Sequence, residues 1–496
     1  MPVAPHTPKR SSLFNIYDTL TRKLRPFKPV MKPAKGEKPV VRLYTCGPTV
    51  YTFAHIGNYR AYLFEDLLRR YLKFKGYSVK QAMNITDVDD KTIKNSKDKG
   101  LSLNVFTKKY TTAFFDDLTS LNIEQAEVYP RATDHVQEMI LIISHLLDKG
   151  LAYQTDDHCV WFSISTCKSY GKLANIKAES LKAGASGRVL TDEYEKEQAG
   201  DFALWKAWDK EDGDVFWMAP FGKGRPGWHI ECSAMSMKHL TKTFNRNHFD
   251  PKGFETIDLH TGGVDNIFPH HEDEIAQSEG VVSKPFVKYW MHCEHLLVDG
   301  KKMSKSLGNF YTLRDLIERG HDPRAFRFLI NSVHYRQKLN FTLEALAGAK
   351  EAVKALDDFI LNLGTMNAKS DCKLLRGLVK QLEDGFTRAM DDDLNASPAV
   401  ASLFTFMRGI NKIHPQLSEH DADRIRISLK KIDAVLGVMK FDHEYAPKEI
   451  MKLTQEREDA RRQKDWHRAD EIRKQLMSKG WFVEDLDFGP RVKRVQ

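Results

Sequence analysis

Cysteine is scarce in this chain: six residues in 496, at positions 46, 159, 167, 232, 293 and 372, with no framework spacing. Thiols this sparse exclude a disulfide scaffold and point to reduced side chains in a cytoplasmic setting. Long apolar runs are also missing. The longest nearly unbroken stretch, Met139 to Leu147, has nine residues and contains Ser144 and His145, against the roughly 20 needed to cross a bilayer, so no membrane role is expected. No apolar signal-type segment opens the chain, although Met1 to Tyr17 carries Lys9 and Arg10 without an acidic residue, which leaves a transit-peptide reading open. Charge of one sign is in short supply beyond the N-terminus. Of the formal +9, residues 1–40 supply nine Lys/Arg against Asp18 and Glu37, and the other 456 residues balance 67 basic against 65 acidic. Any nucleic-acid surface must therefore be local. There is no internal repeat and no long low-complexity tract.

What is present is a globular composition, 41% hydrophobic and 29% charged, with a length that predicts about three folded units. Val40 to Thr45 reads as a buried strand ended by Gly47-Pro48. A helix follows, in which Leu63, Leu67 and Tyr71 recur every four residues, and Ser78 to Ile85 reads as a second strand. Strand, loop, helix and strand within about 45 residues make a βαβ unit, whose ligand-binding loop lies at the carboxyl end of the first strand. A doubly wound, Rossmann-like α/β sheet is expected. Helical spacing dominates Thr111 to Thr155, and Ala183 to Gly187 with Asp192 to Glu197 reads as an exposed loop in an insertion. Strands are expected again near Thr256 to His260 and Tyr289 to Val298, with a helix at His270 to Ser278. From Leu313 the pattern is almost wholly helical: Leu343 to Leu361 and Leu374 to Met390 suggest a bundle, and Lys448 to Lys479 a charged helical hairpin or long helix.

Two short segments carry phosphate chemistry. In His55-Ile56-Gly57-Asn58 the glycine admits a phosphate close to the backbone at a helix start, and the imidazole can donate to a phosphoryl oxygen. Lys302-Met303-Ser304-Lys305-Ser306 offers two lysines three apart among small hydroxyl residues, suited to a triphosphate. A satisfied surface histidine and a solvated basic turn are the bland alternatives. Metal ligands are a third possibility. His270 and Glu274 are four apart and share a helix face, and Cys46 with Cys232 could complete a tetrahedral set for zinc. Spacing leaves His260, His271, Glu272 and the cluster His292-Cys293-Glu294-His295 in competition.

Paired in this order, the histidine and lysine segments resemble the two signatures of class I aminoacyl-tRNA synthetases. Four longer stretches narrow the resemblance to the cysteinyl-tRNA synthetase family: Tyr44-Thr45-Cys46-Gly47-Pro48-Thr49-Val50-Tyr51, Asn84 to Lys91, Arg225 to Met235, and Phe268 to Ser278. It runs from about Ile16 to Gly480 and takes in Phe202-Ala203-Leu204-Trp205-Lys206 and Ala389 to Asn395. The chain departs from the family pattern at Asn58, where many members have His, at Thr261, commonly Gly, at Cys293-Glu294, commonly Asn-Gly, and in an ending without tryptophan, Phe488 to Gln496.

The resemblance implies a basic arm over 1–13, a Rossmann-like catalytic unit over 14–330 with an insertion at about 120–225 and a mobile loop at 302–306, a tRNA-binding helical bundle over 331–450, and an anticodon-recognition region over 451–496. It implies one zinc ion held by Cys46, Cys232, His270 and Glu274, taking the thiolate of L-cysteine as a further ligand, with Thr86 and Trp228 around the substrate. Serine's harder hydroxyl is a poorer ligand, so selection needs no editing. ATP, with magnesium, would meet His55, Gly57, Asn58, His260, Gly262, Gly263, Asp265 and Lys305. Charge on the phosphoryl oxygens would fall to His55, Lys302 and Lys305. The partner implied is tRNA(Cys), and the family habit is a monomer. Lys452 to Gln496 holds twelve Lys/Arg and nine Asp/Glu. Around Trp466 these can form local basic faces for RNA, and the resemblance singles out Trp466 and Asp470; a solvated helix packed through Trp466 is the alternative. Two rival functions stay open: a ligase joining cysteine to a small amine, and a non-catalytic RNA-binding relative.

Overall fold

The computed structural model describes residues 13–33, 35–176, 201–245, 248–304, 307–442, 446–486 and 489–494. Its centre is a four-stranded parallel sheet in the order Val287–Cys293, Ile257–Gly263, Val40–Thr45, Ser78–Met83. The sequence Val-Val-Arg-Leu-Tyr-Thr is buried at every position after Val40, as a strand covered on both faces must be. Its register pairs Thr45 with Thr261 on one side and with Met83 on the other. Neighbours leave the central strands in opposite directions along the chain, so a crevice opens at the carboxyl ends of the strands, where doubly wound sheets bind ligands.

The first helix, Ile56–Phe74, buries Leu63, Leu67 and Tyr71, as the four-residue spacing predicts. Helices at Leu103–Ser120 and Val136–Asp148 meet the helical expectation for the next segment. The insertion is an antiparallel sheet of five strands, Ala152–Gln154, Val160–Phe162, Phe202–Ala207, Gly222–Pro226 and Trp217–Ala219. The loop expected at Ala183 to Gly187 and Asp192 to Glu197 lies outside the described residues, as do all but the last residue of the 1–13 arm.

Three expectations need correction. The strand expected over Tyr289 to Val298 is two strands, Val287–Cys293 and Leu296–Val298, because the chain leaves the main sheet at Glu294 and His295 to join Leu339–Phe341 in a second, parallel pairing. The region after Leu313 is not wholly helical. It contains Leu339–Phe341 and an antiparallel hairpin, Trp481–Leu486 with Gly489–Arg494; three residues are too few to show a period of two. His270 lies in a kinked turn, Ile267–His271, in which Phe268 has an extended backbone, ahead of the helix Glu272–Val282. The helices Leu343–Asn362 and Leu375–Asp391 agree with expectation, and 448–479 is a hairpin of Lys448–Arg462 and Trp466–Ser478.

One buried cluster runs without a break from Leu63 and Leu67 through Phe326 and Leu356 to Phe386 and Ile432, so sheet half and bundle share a core. Arg327 bolts the two together. Fully buried, it meets the Asp66 carboxylate on the first helix and donates to the carbonyls of Leu121, Asn122 and Leu436. Segment 389–395 serves the same junction: Asp391 accepts from the Tyr71 hydroxyl, and Asp393 accepts from the Tyr17 backbone, the Tyr335 hydroxyl and Arg336. A second cluster, including Tyr44, Trp205, Cys232, Ile275 and Trp290, lies beneath the insertion. The C-terminal hairpins close on a small core of Ile450, Ile472, Leu476, Trp481, Val483 and Val492.

Candidate active site and metal centre

The crevice collects side chains from four separate elements. Cys46 ends the Val40–Thr45 strand, with its N–H donating to the Thr261 carbonyl across the sheet at 3.3 Å. Cys232 comes from the helix Trp228–Leu240, reached through the inserted sheet. The residue that caps that helix must be glycine, because a Cβ on Gly227 would lie 2.0 Å from the Ala203 carbonyl oxygen. His270 and Glu274 come from the kinked turn Ile267–His271 and the helix after it. Their ligand atoms with those of Cys46 and Cys232 all lie within 4.8 Å of one another, compatible with one tetrahedral ion, whose ligand atoms sit roughly 3.5 Å apart at metal bonds of about 2.0–2.3 Å.

Orphaned atoms favour a metal here. His270 Nε2 and Glu274 Oε1 are 3.1 Å apart, yet Oε1 is buried without a hydrogen-bond partner, so the two atoms are close without pointing at each other. Both lone pairs can address a shared third point. Burial lifts the Glu274 carboxyl well above its usual range, with the Cys232 charge adding to it. Burial opposes a charged His270, but Glu274 and Cys232 outweigh it and raise its pKa. The Cys46 thiol donates to Cys232, which pulls Cys232 well down and pushes Cys46 up. A donor set of two sulfurs, one imidazole and one carboxylate that share too few protons suits a soft-to-borderline dication.

The competing histidines surround this set. Cys46, His260, His271 and Glu274 form a second close group, in which His260 Nε2 and both nitrogens of His271 already contact buried side chains while His260 Nδ1 has no hydrogen-bond partner. His260 Nε2 meets Glu274 Oε2 at 3.1 Å, and His271 bridges Cys46 Sγ at 3.2 Å and His292 at 2.8 Å. Burial drives His260 and His292 down to about 3, so both are neutral spacers. Neutral imidazoles bonded to ligand atoms hold those atoms in place. Cys293 stands apart, its thiol 3.6 Å from the Arg60 carbonyl and pushed up to about 12 by burial. Glu272 accepts from the backbones of Gly171 and Ala174.

Trp228 stacks on His270 at 4.2 Å between ring centroids. Thr86 donates to Glu231 at 3.2 Å and accepts from Asn84, so its hydroxyl is engaged and it forms wall. Of the other residues that the resemblance assigns to ATP, Gly263 is half-buried and Asp265 exposed, whereas Gly262 is buried and His260 is fully buried against Glu274.

The structure brings the two signature segments together. His55 caps the first helix, accepting from the Asn58 N–H at Nδ1, while the Asn58 side chain accepts from the His55 N–H. Asn58 is thus a capping residue. Gly57 sits close against the loop and the His55 ring: a Cβ there would lie 2.9 Å from Met303 Cε and 3.0 Å from His55 Nδ1. His55 bridges Thr312, its ring meets Phe310 edge-on, and Asn309 ties the loop by accepting from the Ser304 N–H and donating to the Lys302 carbonyl. Lys302 is exposed; Lys305 lies outside the described residues. At the far end Trp466 is 58% exposed beneath Arg461, and packing falls to Ala469, Ile472 and Leu476. The alternative of a helix packed through Trp466 is thereby removed, and Asp470 is exposed beside it.

Comparison with known proteins agrees with this arrangement. Residues 32–351 match the family described as tRNA synthetases class I (C) catalytic domain, and residues 385–440 match the DALR domain. A protein of Brachyspira hyodysenteriae named cysteine-tRNA ligase is 48% identical over 488 residues, 96% of this chain and 98% of its own. The chain belongs to the cysteine-tRNA ligase family. Its relative of the same name in Protochlamydia amoebophila is 47% identical over 487 residues, covering 97% of each chain. Methionyl-tRNA synthetase of Mycobacterium tuberculosis, solved with methionyl-adenylate, shares the fold at a TM-score of 0.57 and 14% identity, over 81% of this chain and 90% of that one. Sequence reasoning gave no role to three residues that support the site of this family member, although two of them, His229 and Glu231, lie in the stretch Arg225 to Met235. These are His229, whose Nδ1 lies 3.0 Å from His270 Nδ1, Glu231 behind Thr86, and Glu65, which accepts from the Thr261 hydroxyl and is pushed up to about 8 by burial.

Proposed function

We propose that the chain activates L-cysteine with ATP, forming cysteinyl adenylate and pyrophosphate, and then transfers cysteine to the 3′ end of tRNA(Cys). The observation that carries the reading is the convergence of Cys46, Cys232, His270 and Glu274 within 4.8 Å at the carboxyl ends of the strands, in a fold that also joins its two phosphate-binding signatures. When bound, a zinc ion on these four side chains supplies a soft Lewis acid that accepts the substrate's thiolate and disfavours serine.

The protein's own groups position and stabilise. The cysteine carboxylate attacks the α-phosphorus in line, pyrophosphate leaves, and the terminal ribose hydroxyl of tRNA attacks the acyl carbonyl; no protein nucleophile is needed. His55 acts as a neutral donor. Burial lowers its pKa, and because Nδ1 accepts from Asn58 the proton sits on Nε2, the atom left for a phosphoryl oxygen. Gly57 and Gly263 let nucleotide approach the backbone. Asp265 faces it, and Lys302 and Lys305 bring positive charge on the loop, with magnesium carried by ATP. His260 positions Glu274. Trp228 and Thr86 wall the amino-acid pocket, and Trp466 and Asp470 belong to the RNA surface. The 385–440 match supports a tRNA partner. The active species is a cytoplasmic monomer, which sedimentation of the purified chain checks.

ATP/pyrophosphate exchange tests this directly. Cysteine should drive it and serine should not, and Lys305→Ala should lower it about 100- to 1,000-fold, the cost of removing one preorganised charge donor. Equal exchange with serine, or an unimpaired Lys305→Ala, would sink the assignment.

A further inference from the structure

The sequence is nearly neutral beyond residue 40, with one exception. Residues 91–109 contain six lysines, 91, 94, 97, 99, 108 and 109, against the single acid Asp98. In the fold Lys91, Lys94 and Lys97 fall on the helix Asp90–Asp98, Lys99 just past its end, and Lys108 and Lys109 on the next helix, Leu103–Ser120. Lys94, Lys99, Lys108 and Lys109 are exposed. Lys97 faces away from this group, toward Glu211 at 3.5 Å.

The helices meet a lip of aromatic rings beside the active site. Lys91 lies over Tyr51, and Lys109 and Arg314 both lie over Phe53, at 5.5, 5.7 and 5.4 Å from the ring centroids. Three cations from three parts of the chain thus gather on two half-buried rings. A cation over a ring face is held by the quadrupole, an attraction that neutralises none of its charge toward an anion. Two of them are balanced by acids: Arg314 has Asp116 and Asp117 at 3.5 and 3.3 Å, and Lys91 acts on Asp89.

Position gives the patch its meaning. Phe53 is two residues before His55, and Arg314 is two residues after Thr312, which bridges His55. Lys91 follows Asp89 and Asp90, which share a small cleft with Trp228 and Glu231. The basic surface therefore starts at the mouth of the crevice, far along the chain from the DALR match at 385–440 and the Trp466 region. A solvated helix face accounts for scattered lysines, but not for their collection with aromatic rings on the rim of a phosphate-binding site. Lysines and arginine interleaved with rings suit a nucleic-acid strand, through phosphate contact and base stacking.

We propose that Lys91, Lys94, Lys99, Lys108, Lys109 and Arg314, with Tyr51 and Phe53, form the docking surface for the backbone of the tRNA acceptor end as it enters the crevice. The assignment rests on the ligase reading, since only an RNA whose 3′ terminus must reach the acyl adenylate has reason to cross this rim.

The test compares the full chain with Lys108→Glu/Lys109→Glu, measuring cysteine-dependent ATP/pyrophosphate exchange and tRNA charging on the same preparations across a salt series. Exchange needs no tRNA and should stay within two-fold of the unmodified chain. The KM for tRNA should rise at least ten-fold, and the dependence of log(kcat/KM) on log salt should flatten by about 1 to 2, roughly one for each phosphate that no longer meets a lysine. Lys108→Arg/Lys109→Arg should keep the original KM, and Lys94→Glu, on the other helix, should raise it. An unchanged tRNA KM and salt slope, or a loss of exchange matching the loss of charging, overturns the docking surface. Failure of the unmodified chain to exchange with cysteine strikes the ligase reading instead, before any variant is compared.

Discussion

Cys232 and His55 each serve two demands, and substitutions can separate them. Cys232 is fully packed on a core helix and also points at His270 and Glu274, so its loss removes a ligand from a closed set. Cys232→Ala should reduce bound zinc from about one equivalent to a small fraction, and cysteine-dependent exchange at least about 100-fold, as losing even an outer support of a metal ligand costs 10- to 100-fold. Metal analysis and exchange on the same sample check this; full zinc occupancy in the variant would contradict the ligand assignment. His55 is both helix cap and phosphate donor. His55→Ala should cost about 1 kcal/mol of stability through the cap and about 100-fold or more in exchange. His55→Asn restores a side chain that caps well, so stability should return while exchange does not. Motif spacing made both residues visible in the sequence because each sits in a short signature. The tautomer of His55 was not visible, since it depends on the Asn58 N–H that the folded turn presents to Nδ1.

At the scale of elements, the strongest periodic segments were the most legible. The two bundle helices 343–362 and 375–391 follow their apolar spacing because one face is buried and the other wet, and the first helix follows it although it is buried nearly all round. Leu339–Phe341 was hidden because its order comes from pairing with Leu296–Val298, which no local pattern records. The kinked turn at 267–271 was hidden for a similar reason: the extended backbone at Phe268 comes just before His270, and from His270 onward the helical spacing to Glu274 holds. Joints between elements are less legible still. Arg327 reads as one more arginine in a helix, yet its guanidinium is fully buried among Asp66 and three carbonyls. Arg327→Met takes from Asp66 one of its two arginine partners, leaving Arg70, and removes a buried donor from the Leu121, Asn122 and Leu436 carbonyls, so it should destabilise the chain by about 2–3 kcal/mol, measured as a lowered denaturation midpoint. A shift under about 1 kcal/mol would show that the junction is held by the shared apolar core alone.

Over the whole molecule, stability should depend on pH through buried neutral imidazoles. His239 lies remote from the metal set, 2.7 Å from His135, and its pKa is lowered to about 4, chiefly by burial and then by His135. Below its unfolded value near 6.5 the unfolded chain takes up a proton that the native chain refuses, so stability falls as pH drops from about 6.5 toward 4. The thermal midpoint should decline over that window, and His239→Gln should flatten the decline; an equal slope in the variant would remove this pair as its source. The central claim, cysteine selected by a thiolate-binding centre and passed to RNA, is tested most directly by charging of tRNA with labelled cysteine, with serine in parallel and ATP omitted as the blank. The account predicts charging that requires ATP and is confined to cysteine. Charging by serine at a comparable rate, or none by cysteine in folded, zinc-loaded protein, would contradict it.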